Sequence, residues 1–131
     1  MPRKQSRSFT DVELEFMHIL WNNDEISPEE IRAILENNGR VIASGSIRNV
    51  LAIMSRKGYV TRRKEGKAFL YTAKVNKENA QKSMLSDLLE NAFDRSESLL
   101  VAALLDRKEI DDNEQEEIFR LLEKHRGGNK Q

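Results

Sequence analysis

The chain has 131 residues, 22 Lys+Arg against 22 Asp+Glu, and no cysteine. That length holds one domain with an appendage or two small ones, and the missing thiols exclude a disulfide framework, a thiolate metal site and a thiol redox switch. No apolar run reaches membrane-spanning length and the polar start Met1-Pro2-Arg3-Lys4-Gln5 has no signal-peptide pattern, so a cytoplasmic protein is expected.

The zero net charge is divided unevenly. Residues 1–82 hold 15 Lys+Arg and 10 Asp+Glu, a net of +5, whereas residues 83–131 hold 7 and 12, a net of −5. The positive excess gathers in one hairpin and at the extreme N-terminus. This favours a basic module that faces a polyanion over charges scattered on solvated surfaces.

Residues 1–9 contain Arg3, Lys4 and Arg7 but no apolar period, which suits a flexible basic arm and equally a plain disordered terminus. Thr10-Asp11-Val12-Glu13 is a capping box that opens a helix to about Trp21, with Val12, Phe16, Ile19 and Leu20 on one stripe. Leu14, Met17 and Trp21 broaden that stripe, and Trp21 reads as a core anchor. A second helix starts at Ser27-Pro28-Glu29-Glu30, turns Ile31, Ile34 and Leu35 inward, and ends at Asn37-Asn38-Gly39.

The third helix, from Ser44, carries Ile47, Val50, Leu51 and Met54 at i, i+3, i+4 and i+7 and stops at Gly58. Its other face holds Ser44, Ser46, Arg48, Asn49 and Ala52, mostly short and polar. Two strand-like runs follow, joined at Glu65-Gly66 and carrying Arg62, Arg63, Lys64 and Lys67. Helix, short connection, polar-faced helix and basic hairpin form the pattern of a winged helix-turn-helix, a DNA-binding unit.

Lys74-Val75-Asn76-Lys77 marks the module boundary. Beyond it Met84, Leu85, Leu88, Leu89, Ala92 and Phe93 form a wide helical stripe. Ser96 caps the apolar segment Leu99 to Leu105, and Asp111-Asp112-Asn113-Glu114 opens a last helix with Ile118, Phe119, Leu121 and Leu122 inward. Three short helices with wide apolar faces have little to bury against in one chain. A second copy would supply the surface, through Leu85, Leu88, Leu89, Phe93, Leu100, Leu104, Ile118, Leu121 and Leu122; folding back onto the first module is the alternative.

The expected architecture is therefore mainly α with a small β-hairpin wing. Residues 1–75 form the winged-helix domain, 76–126 a C-terminal helical dimerisation domain and 127–131 a disordered tail. Catalysis, a cofactor and a bound metal are not expected. There is no glycine-rich phosphate loop, His18 and His125 lack partners at ligand spacing, and the carboxylates fall in caps and on helix faces.

For base edges the candidates are Ser44, Ser46, Arg48 and Asn49, since Arg can pair with guanine and Asn with adenine in the major groove. Arg48 on a phosphate and Asn49 on solvent are the competing readings. Arg56, Arg62, Arg63, Lys64 and Lys67, with Arg7 from the arm, are the candidate phosphate contacts. A winged-helix protein-interaction module without DNA is the rival function.

The sequence resembles the BlaI/MecI family of penicillinase repressors over nearly its whole length. The resemblance rests on Thr10 to Glu15 with Leu20-Trp21, on Ile47 through Lys57-Gly58-Tyr59-Val60, and on Phe69-Leu70-Tyr71. It continues through Phe93-Asp94-Arg95-Ser96, Leu99-Leu100-Val101 and the helix from Asp111 to Leu122. It implies a homodimer that grips a palindromic operator, represses β-lactam resistance or related stress genes, and is released through a membrane-bound sensor-protease. Two features depart from the family's pattern. Ala43-Ser44-Gly45 opens the third helix where relatives often have Ser or Thr followed by Pro. No Asn-Phe scission pair occurs, and its place falls near Asp87-Leu88. The cysteine cluster of copper-responsive relatives is absent too.

Overall fold

Helix starts are set by side chains that satisfy the orphan N–H groups of the first turn, and the computed structural model, whose described residues are 9–128, shows those bonds made. Thr10 Oγ1 accepts from the Glu13 N–H while Glu13 returns a carboxylate oxygen to the Thr10 N–H, opening α1 (Asp11–Trp21). Ser27 and Glu30 repeat the reciprocal box for α2 (Pro28–Asn37). Asn76, Ser96 and Asp111 accept from the N–H three residues on, and so begin α4 (Lys77–Ala92), α5 (Glu97–Leu105) and α6 (Asp112–Gly128). Among the described helices, α3 (Ser44–Arg56) alone has no side-chain cap, because Ala43 stands at its N-cap.

Glycine ends the two helices of the helix-turn-helix. Gly39 and Gly58 both take a φ of +84°, and each sits in a Schellman turn. Arg40 N donates to Leu35 O at 2.8 Å after α2, and Tyr59 N to Met54 O at 2.9 Å after α3. The chain then enters β1 (Val60–Glu65), turns at Gly66-Lys67 and returns as β2 (Ala68–Ala73), antiparallel from Val60 opposite Ala73 to Glu65 opposite Ala68. Ile26 adds a bridge that the sequence did not announce, exchanging both backbone bonds with Tyr71 and tying the α1–α2 loop to the wing.

The core lies where these elements meet. Phe16, Met17, Leu20, Ile31, Leu35, Ile47, Leu51 and Met54 are fully buried, with Tyr59, Val60 and Tyr71 closing the wing side. Val12 departs from the expected stripe and is exposed. Phe9, assigned from sequence to the basic arm, packs at a tilt on Tyr59 with ring centres 4.5 Å apart and meets Trp21 edge-on. Trp21 anchors the module's end by donating Nε1–H to Val75 O at 2.8 Å.

Glu13 is the one buried charged residue among those described, 4% exposed. Its second oxygen meets Lys57 Nζ at 2.7 Å, pinning the start of α1 to the end of α3. Burial pushes the carboxyl up, but the Lys57 ammonium and the Thr10 N–H outweigh it and hold it below the ordinary glutamate value. A depressed carboxylate stabilises the fold above its unfolded pKa, and that contribution is lost as pH falls through the folded value. Glu13→Gln is accordingly expected to destabilise the protein at pH 7 by about 1–3 kcal/mol. Thermal melts of variant and wild type should converge as pH falls through the folded carboxyl's lowered value; a difference that persists undiminished in acid would contradict this account.

The chain divides into two compact units, the first ending at Leu85 and the second beginning at Ser86, so the opening turns of α4 go with the winged helix. The sequence pattern puts its boundary at 75/76, ahead of α4. In the second unit Asp94 and Arg95, both with positive φ, turn the chain from α4 into α5. Helix α6 continues through Gly128, beyond the expected start of the tail at 127. No described residue from 81 to 126 is buried.

Candidate nucleic-acid interface

Burial of Ile47, Leu51 and Met54 rotates the opposite face of α3 to solvent. Ser44, Ser46, Arg48 and Asn49 are all exposed there, with Ala52 one turn further on. The structure thus leaves all four candidate base contacts exposed in the first half of one helix. Arg56 is exposed near the far end. Arg7 lies outside the described residues.

The wing separates its cations by strand alternation. Arg62 and Lys64 share a face with Tyr71 and Phe69, their cross-strand partners. The Arg62 guanidinium lies 4.1 Å from the centre of the Phe69 ring, a cation–π contact that orients it without neutralising it. Lys64 and Lys67 are exposed and make no ion pair among the described residues.

Arg63 stands apart. It falls on the other face, where Glu25 grips Nε at 2.5 Å and Nη2 at 2.8 Å and Glu65 takes Nη1. Hydrogen bonds to Glu25 first, and then to Glu65, raise the guanidinium's pKa, and the same contact with Arg63 lowers that of Glu25. Two carboxylates against one guanidinium leave this cluster with a net charge of −1, so a phosphate would have to displace both.

Between α3 and the wing runs a groove of about 420 Å³, lined among others by Arg48, Ala52, Arg62, Lys67 and Phe69. Here the candidate face of α3 and two of the wing's cations, Arg62 and Lys67, converge. Glu29, from the first turn of α2, also lines it and bonds Arg48 Nη2 at 2.7 Å.

Sequence reasoning missed both acidic partners. Glu29 and Glu25 lie 19 and 38 residues from the arginines they bind, and in the sequence Glu29 reads simply as a first-turn acid. Val41 was missed as well. It is 79% exposed at the approach to α3, while the next residue, Ile42, packs on the core.

The model of the penicillinase repressor family matches residues 9–124. The penicillinase repressor of Bacillus licheniformis is 23% identical over 128 residues, covering 98% of this chain and 99% of its own length. An uncharacterized 16.5 kDa protein of Latilactobacillus sakei is 24% identical over 119 residues, or 91% of this chain and 81% of its own. The solution structure of the DNA binding domain of the repressor BlaI superposes with a TM-score of 0.50 at 26% identity, over 59% of this chain and 93% of that one. A complex structure of hsRosR-S4 matches 93% of both chains with a TM-score of 0.54 at 13% identity, a likeness of fold. The chain belongs to the penicillinase repressor (BlaI/MecI) family, winged-helix DNA-binding regulators and not enzymes.

Proposed function

We propose that the protein is a homodimeric repressor acting in the cytoplasm on a palindromic operator upstream of β-lactam resistance or related stress genes. The carrying observation is the contrast between its two units. The winged helix closes its own core. The second unit instead leaves Leu88, Leu99, Leu104, Leu105, Phe119, Leu121 and Leu122 exposed. Apolar surface on that scale is what a second copy would cover, and a twofold dimer presents two recognition helices to two half-sites. Within each half-site Ser44, Ser46, Arg48 and Asn49 read base edges, and Arg56, Arg62, Lys64 and Lys67 hold phosphates.

The family resemblance and the name of the Bacillus licheniformis relative support the choice of regulated genes. A membrane sensor-protease is the releasing partner that the resemblance suggests. With Asp87-Leu88 near the place of the Asn-Phe pair, its cut would fall at a different sequence, or another signal would act.

The test is binding of the purified protein to its own upstream DNA across a salt series, beside an unrelated duplex of equal length. Tight binding to the upstream fragment at two protomers per site, with a steep salt slope, is the expected result. Weak and equal binding to both duplexes would replace this reading with that of a protein-interaction module. In the same series Lys64→Ala with Lys67→Ala should flatten the slope by about two units, at about 0.9 for each phosphate no longer neutralised. Arg63→Ala should leave the slope nearly unchanged, because its charge is already taken. An equal effect from Arg63→Ala would show that Glu25 and Glu65 yield to DNA.

A further inference from the structure

The pair Arg48–Glu29 deepens the reading of α3 as the base-contacting helix, and the inference rests on that reading. We propose that Glu29 is a specificity-determining residue. It tethers the Arg48 guanidinium so that this cation meets a base edge and is withheld from the phosphates, which are the same in every sequence.

Three observations carry it. The first is the form of the bond. Arg40 is fully committed to Glu15 through a two-pronged pair, Nε and Nη2 each at 2.9 Å. Arg48 instead gives Glu29 a single Nη2 contact at 2.7 Å, and no bond of its Nε or Nη1 occurs among the described residues. Such a tether fixes where the guanidinium sits while leaving donors to recognise an acceptor pair such as guanine O6 and N7.

The second is that the fold does not need the pair. Its side chains are 59% and 62% exposed, and a pair in that much water adds little to stability. Nor is Glu29 required to start α2, because Ser27 and Glu30 make the capping box.

The third is position. Glu29 lines the groove that also presents Arg62 and Lys67, where a phosphate backbone would be drawn in. A carboxylate there holds Arg48 back from the backbone that those cations attract, and leaves its remaining donors for a matching base, which widens the gap between right and wrong sites.

Glu29→Gln keeps the shape and removes the charge. Its binding to the upstream duplex and to the unrelated duplex should be measured across the salt series, with thermal melting confirming the fold. Affinity for the unrelated duplex is expected to rise about three- to tenfold and its salt slope to steepen by about one unit, as Arg48 becomes free to neutralise one further phosphate. Affinity for the upstream duplex should change less, so that discrimination falls. On an Arg48→Ala background the same substitution should shift the unrelated duplex by less than about twofold, the two effects being coupled. An equal gain on both duplexes, or an undiminished gain without Arg48, would overturn the proposal and leave Glu29 a simple repelling charge. The wild-type protein tests the underlying reading separately. Should it fail to prefer its upstream DNA, the repressor reading falls, and this inference with it.

Discussion

A chain carrying Leu121→Glu and Leu122→Glu is expected to sediment as a monomer and to lose at least about a hundredfold of its operator affinity, the gain that a second linked half-site provides. Both side chains are 55% exposed in the single chain, so their replacement opens no cavity. Glutamate is a good helix former, and α6 should persist. Two carboxylates per protomer would nevertheless face two more across a twofold axis, in surface that must be dry to hold. Half-site binding by the monomer should survive, weak and without the stoichiometry of two. Analytical ultracentrifugation beside anisotropy titrations separates the possibilities. A double variant that stays dimeric would move the interface elsewhere on α4 to α6, and a monomer that binds at full strength would remove the dimer from the mechanism.

Leu51→Ala should be the most destabilising single truncation behind the recognition face. Leu51 is fully buried at the middle of the α3 stripe, between Ile47 and Met54, in the cluster that includes Phe16 and Leu35. Loss of its side chain removes apolar transfer energy and leaves a void, at a cost of about 2–5 kcal/mol. For a unit of this size the melting temperature should fall by roughly 4–8 °C for each kcal/mol. DNA binding should be close to normal in the cold and disappear on warming, because the exposed residues are untouched and only their seat is weakened. Calorimetry of the variant checks this, and a loss below about 1 kcal/mol would mean that the cluster collapses around the gap more completely than buried leucine sites usually do.

What was legible in the sequence is what periodicity and capping encode. The Thr10 and Ser27 boxes, the glycine stops and the stripe of α3 are local patterns within a turn or two of helix, and each predicted its element closely. Such patterns also exposed the candidate face of α3, since fixing Ile47, Leu51 and Met54 inward leaves Arg48 and Asn49 outward. Contacts made across long separations were not legible. The Ile26 bridge to Tyr71 joins a residue with no strand pattern around it to a hairpin much later in the chain. Phe9 looked like part of a polar arm because its aromatic partners, Trp21 and Tyr59, lie beyond the reach of any local pattern. Arg63 looked equivalent to Lys64 because a run of like charges conceals strand alternation; only the register assigns them to opposite faces and gives one of them to Glu25.

The missing cap of α3 has a thermodynamic meaning. The other five described helices obtain a side-chain acceptor for their first turn from the chain itself, and α3 does not. Its opening N–H groups, at Ser44, Gly45 and Ser46, stay with water, so that turn is the easiest of the helix to fray. An anionic oxygen docking there would complete the helix as it binds, and part of the heat of association would then be heat of folding.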